Sequence, residues 1–153
     1  MTQTPAPTKV SLVPFGAFSA VIHDAMAFLS PAIAQSSGRE SEESVLDHII
    51  KGECQLWMMF NDKEEPIGAA TTRVEQYPHC KMLAGMFVGG EDVDQWSGEF
   101  LENLERFAKL NSCAGVEFTG RPGWQRYLAK FGWDAPYVVC QKMFDKDEAD
   151  GDQ

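Results

Sequence analysis

The period of the hydrophobic positions changes along this chain, and the changes divide it into elements. Val10 to Val13, closed by Pro14 and Gly16, predicts a short first strand. From Phe18 onward, Val21, Ile22, Ala25, Phe28 and Leu29 fall at the spacing of one helix face. Ser30-Pro31 is expected to break or restart that helix, because proline fits a first turn but not an interior. After a loop at Gln35 to Gly38, Ser41 is the expected N-cap of a second helix. Glu42 and Glu43 lie in its first turn, where the helix dipole favours anions. Val45, Leu46, Ile49 and Ile50 give it one apolar face, and Gly52 follows its end.

The pattern then shortens. Gln55 to Phe60 has almost no polar alternation and reads as a central strand. Asn61 to Pro66 is a turn, and Ile67 to Val74 is its hairpin partner. Tyr77-Pro78-His79 turns the chain into a further strand at Lys81 to Val88. Asp94 to Leu110 is an amphipathic helix, with Phe100, Leu104 and Phe107 on the face toward the sheet. A strand at Ala114 to Thr119, a short helix at Arg121 to Phe131 and a closing strand at Tyr137 to Phe144 complete the order. The expected fold class is α+β, a mixed, mostly antiparallel sheet flanked by helices. The strands at Lys81–Val88 and Ala114–Thr119 are expected to splay apart. Residues 10–144 are expected to form one domain, between a flexible N-terminus at 1–9 and an acidic disordered tail at 145–153.

Composition narrows the function classes. The chain has 153 residues, 44% hydrophobic and 24% charged, enough for one packed domain. A net charge of -10 argues against sequence-independent nucleic-acid binding. No apolar run is expected to approach the roughly 20 residues of a membrane span. The N-terminus lacks signal-peptide blocks, so a cytoplasmic location and no membrane partner are expected. Cys54, Cys80, Cys113 and Cys140 form no CxxC pair and read as buried thiols in a reducing compartment. His23, His48 and His79 are scattered, so no metal site is expected.

From roughly Val10 to Phe144, and most specifically in its second half, the chain resembles the GNAT superfamily of acyl-CoA-dependent N-acetyltransferases. Trp124-Gln-Arg-Tyr-Leu-Ala-Lys-Phe-Gly-Trp133 is similar to the family's late helix, which ends in a Gly-aromatic pair. Gly120-Arg-Pro-Gly-Trp124 resembles small acetyltransferase-like proteins of tailed bacteriophages. The resemblance implies a GNAT-like fold, acetyl-CoA as acyl donor and a small-molecule or protein amine as acceptor. A phage source would imply the host cytoplasm or virion as location, and a phage or host protein partner.

In that family the diphosphate of the donor sits on backbone N–H groups at the start of the helix after the fourth strand. The resemblance therefore implies a cofactor site at Phe87, Val88, Gly89, Gly90, Gln95 and Gly98, with N–H groups around Phe87 and Val88 polarising the thioester carbonyl. The loop departs from the family pattern. Val93 stands where a basic residue belongs, Gln95 and Trp96 occupy the glycine-rich stretch, and Glu91, Asp92 and Asp94 add negative charge. The family's general-acid tyrosine falls at Leu128 in this register. Tyr127 is the nearest candidate, turned by about 100° on a helix. Arg121 replaces the family's asparagine and is either a phosphate ligand or a salt-bridge partner of Glu117. Glu117, alternating away from Val116 and Phe118, and Glu75 are the candidate general bases. The competing class is a non-catalytic GNAT-fold structural or interaction protein, such as a virion component.

Overall fold

A computed structural model describes residues 8–120 and 122–145. The chain divides into two compact units, one ending at Thr119 and one beginning at Gly120.

The first unit is a five-stranded sheet in the order β1-β2-β3-β4-β5. Its strands are β1 (Lys9–Leu12), β2 (Gln55–Phe60), β3 (Pro66–Gln76), β4 (Lys81–Gly90) and β5 (Gly115–Phe118). The first four run antiparallel, and β5 joins β4 in parallel. This is the expected α+β class. Among the described residues this unit has three α-helices, α1 (Phe18–Ala34), α2 (Glu42–Ile50) and α3 (Val93–Leu110), with a short 3-10 turn at Phe15–Ala17 leading into α1.

Each face of the sheet has its own core, because neighbouring residues of a strand point to opposite sides. On one face Leu56, Met58 and Ala69 meet Ala25, Leu29 and Ile33 of α1 and Val45 and Ile49 of α2. On the other, Trp57, Met59, Ala70 and Leu83 meet Trp96, Phe100, Leu104 and Ala108 of α3. Phe100 and Leu104 are buried as expected, and Phe107 packs edge-on to Trp57 with centroids 5.6 Å apart. Each fully buried large side chain stabilises the fold by about 1.5–3 kcal/mol.

Local signals explain the helix ends. Ser41 caps α2 in a capping box with Ser44, each hydroxyl accepting from the other's backbone N–H. Pro31 does not break α1, which runs through it to Ala34. It removes one i→i−4 hydrogen bond near the C-terminal end, with only three helical residues beyond it. The stretch Phe15–Ala34 also corrects the expectation of no membrane-length run. It has a mean hydropathy of 1.4 and is long and apolar enough to cross a membrane by length and composition. In the fold, its Ala25, Leu29 and Ile33 are buried in the α1–α2 core.

The second unit contains α4 (Pro122–Ala129). Gly132 follows with φ +86°, and the Trp133 N–H returns to the Leu128 carbonyl at 3.3 Å, a helix stop that glycine permits. The closing strand expected at Tyr137–Phe144 does not form. Tyr137, Val138, Val139, Met143 and Phe144 are 64–75% exposed, so strand-like residues alone do not make a strand. Cys140 is consequently exposed, as is Cys80 beside its turn, whereas Cys54 is buried and Cys113 half-buried. The termini expected to be flexible or disordered fall mostly outside the described residues.

Candidate active site

The site is built at the point where β4 and β5 part. They pair from Met82–Gly115 to Gly85–Phe118, and β4 then continues alone to Gly90. A β-bulge marks the same point. Thr72 faces Gly85 and Thr71 faces Phe87, so Met86 is an extra residue on β4. Gly85 is closely packed there: an added Cβ would lie 1.8 Å from the Phe118 ring, which would have to move. This is the expected splay.

A cleft of about 220 Å³ opens at the splay, lined by Arg73, Glu75, Tyr77, Gly85, Met86 and Glu117 among others. Glu117 reaches it because Val116 and Phe118 pack toward the α3 core, leaving the residue between them on the opposite face. The Tyr77 hydroxyl and Glu117 Oε1 are 2.6 Å apart, with the hydroxyl as donor to the carboxylate. Arg73 Nε donates to Glu75 Oε1 at 2.6 Å, so this guanidinium is held by a carboxylate of the same strand face. Sequence reasoning found Glu117 and Glu75 but missed Tyr77 and Arg73. Period-two alternation of Arg73 and Glu75 was a usable signal, whereas Tyr77 is brought in by a turn that only tertiary structure closes.

The expected cofactor loop is a separate place. Asp92 precedes α3 in the left-handed region, with φ 53°, and makes no side-chain cap. Trp96 is fully buried, and its indole N–H donates to the Glu91 carbonyl at 2.7 Å. It therefore fills the core behind the loop instead of the space in front. Gly89 and Gly90 are consumed by packing. An added Cβ on Gly89 would lie 2.0 Å from the Phe28 carbonyl oxygen, and one on Gly90 2.4 Å from that of Ile67. Gly98, inside α3, has nothing within 4 Å of an added Cβ. Glu91, Asp92, Asp94 and Gln95 are exposed. Phe87 packs against the α1–α2 core and Val88 against the α3 core.

Tyr127 belongs to the second unit. It is half-buried, with the rings of Trp124 and Phe131 at 5.8 and 5.5 Å and Lys130 Nζ 5.8 Å from its centroid. The neighbouring Leu128 is buried. Arg121, and with it the expected Arg121–Glu117 pair, lies outside the described residues. Among the described residues no group of His, Cys, Asp and Glu is placed to hold a metal ion.

A second, smaller recess of about 10 Å³ adjoins the cleft, sharing Arg73 and Met86 and adding Thr71, Cys54, His48 and Glu40. His48 bridges Glu53 and Glu40, through Nδ1 and Nε2 respectively. The hydrogen bond to Glu53 raises the His48 pKa above the ordinary imidazole value, burial lowers it by less, and the charges of Glu40 and Glu53 add smaller upward contributions. Burial raises the pKa of the Cys54 thiol, which disfavours its thiolate.

No protein-family model matches this sequence, and no curated protein does. The fold, in contrast, is that of the GNAT acetyltransferases. Glucosamine-6-phosphate N-acetyltransferase from Arabidopsis thaliana superposes with a TM-score of 0.63 at 11% identity, over 91% of this chain and 99% of that one. An aminoglycoside N-acetyltransferase in complex with CoA gives 0.65 at 9% identity, over 94% and 99%. A GNAT family acetyltransferase from Staphylococcus aureus gives 0.61 at 11% identity, over 90% and 98%. At such identities the likeness establishes the fold alone.

Proposed function

We propose that this protein is an N-acetyltransferase that moves an acetyl group from acetyl-CoA to an amine. The observation that carries the reading is the carboxylate-lined cleft at the β4–β5 splay of a GNAT fold. Acetyl-CoA would supply the activated acetyl thioester. The chain's own features that fit it are the first turn of α3, which has no side-chain cap, and the open space over Gly98. Gln95 and the backbone of Gly89 and Gly90 border the same loop. Against them stand Glu91, Asp92 and Asp94, whose like charge weakens the hold on a diphosphate.

In this reading Glu117 accepts a proton from the acceptor ammonium, which leaves the amine nucleophilic. Tyr77 orients that carboxylate through its hydroxyl. N–H groups of β4 around Phe87 and Val88 stabilise the oxyanion. The departing thiolate takes up a proton from water, which balances the one accepted by Glu117. The acidic loop is the observation that favours the rival, a non-catalytic interaction or virion protein that kept the fold.

Thiol release from acetyl-CoA in the presence of an amine panel tests the proposal. Wild type should release thiol in an amine-dependent manner, and Glu117→Gln should lower the rate about 10²–10⁴-fold, the usual contribution of a general base. Amine-independent release, or none with any amine, would refute catalysis.

A further inference from the structure

We propose that His48 is a pH-sensitive staple across α2. The doubly protonated ring ties Glu40, before the helix, to Glu53, after it, and loss of one proton unfastens the Glu40 end. The device belongs to the fold and does not rest on the acetyl-transfer reading.

Local geometry brings the three side chains together. Gly52, with φ +76°, stops α2 so that the Glu53 N–H returns to the His48 carbonyl at 2.9 Å and the Gly52 N–H to that of Ile49 at 3.1 Å. This turn sets the Glu53 carboxylate beside the ring, 2.5 Å from Nδ1. At the other end, Glu40, Ser44 and His48 recur at four-residue intervals, the spacing of one helix face. The Glu40 backbone N–H donates to Ser36 Oγ at 3.1 Å, which holds the residue in place. Its carboxylate accepts from the Ser44 hydroxyl and lies 3.5 Å from His48 Nε2.

Two carboxylates therefore face the two nitrogens of one ring. An imidazolium offers an N–H to each, whereas a neutral imidazole has a single N–H and a lone pair on the other nitrogen. The closer partner, Glu53, keeps the proton on Nδ1. The neutral ring then turns its Nε2 lone pair toward the Glu40 carboxylate, and attraction at that atom becomes repulsion. The other charges nearby are engaged elsewhere. Arg73 of β3, which opposes the imidazolium, is paired with Glu75, and Lys51 is paired with Asp47 at 2.8 Å. Cys54 faces the same recess as an un-ionised thiol, because burial disfavours its thiolate.

The helix is short enough for such ties to count. It has nine residues, fewer than the roughly 12–15 that an isolated helix needs, and its buried residues are Val45 and Ile49. Val45 and His48 line the recess together with Met86 and Phe87 of β4, so α2 is part of the cover over the bulge. Unfastening α2 loosens that cover.

Amide hydrogen exchange followed across the titration of His48 tests this, with rates corrected for base catalysis and α3 as the internal reference. In wild type, the protection of α2 relative to α3 should fall about two- to fivefold as pH rises through that titration, a modest step because the cluster is partly exposed. Nuclear magnetic resonance of the ring locates the titration, which should lie above 6.5 and move down in Glu40→Gln. His48→Gln, with no titrating ring, should abolish the exchange step. Glu40→Gln, whose carboxamide carries no charge to be repelled, should shrink it. A wild-type ratio that does not change with pH, or an equal step in His48→Gln, would overturn the proposal. An undiminished step in Glu40→Gln would overturn the assignment of the end that opens.

Discussion

The two ends of the C-terminal half of β4 use glycine for opposite purposes. At the splay, Gly85 admits the Phe118 ring, and the Met86 bulge opens a polar cleft on the other face. At the loop, Gly89 and Gly90 let the backbones of α1 and β3 close in, and Trp96 seals the core behind them. Of Gly85, Gly89, Gly90 and Gly98, it is Gly98, five residues into α3, that faces open space. A glycine-rich stretch is therefore not by itself a ligand cradle. What distinguishes the two uses is what an added Cβ would meet.

Four substitutions can break or sharpen this contrast. Leu104 is fully buried and anchors α3, which carries the loop. Leu104→Ala should lower stability by about 2–5 kcal/mol in chemical denaturation. A near-neutral result would mean that α3 is not the support of that end. Gly89→Ala should cost about 1–3 kcal/mol or more, because the obstructing Phe28 atom is backbone and cannot swing away. Thermal melts of the same variant that match wild type would remove the packing role assigned to it. Gly98→Ala should do the opposite and stabilise by about 0.5–1 kcal/mol, since helical glycine is penalised and nothing obstructs the methyl. Loss of stability there would show that the space over Gly98 is already used by the fold.

The smallest expected effect is on the splay side. His48 has a raised pKa in the fold, so the stability it contributes is fully present below its unfolded value of about 6.5. It is lost as pH rises through the higher folded value. The gap in denaturation midpoint between wild type and His48→Gln should therefore be wider at acid than at alkaline pH, by less than about 1 kcal/mol for a partly exposed cluster. A gap that widens with rising pH would contradict the clamp between Glu40 and Glu53.

Much of this was legible from residue order. Gln55–Phe60 declared a buried strand through its unbroken apolar run, and Phe100, Leu104 and Phe107 declared the inner face of α3. Glu117 could be aimed by alternation alone. What escaped depends on neighbours distant in sequence. Tyr77 meets Glu117 only after β3, β4 and β5 assemble. Tyr137–Phe144 has the composition of a strand, but a strand also needs a hydrogen-bonded partner, which composition does not report.

The central claim is that the start of α3 remains a CoA site, weakened by its own carboxylates. Calorimetric titration of CoA into wild type and into the Asp92→Asn/Asp94→Asn double variant measures this directly. Wild type should bind weakly, with a Kd of about 0.1–1 mM. Neutralisation should tighten binding severalfold, as expected from about 0.3–1 kcal/mol per charge at a helix N-terminus, and the gain should shrink with added salt. No binding by either protein at millimolar CoA would contradict the account and leave a GNAT fold serving another purpose.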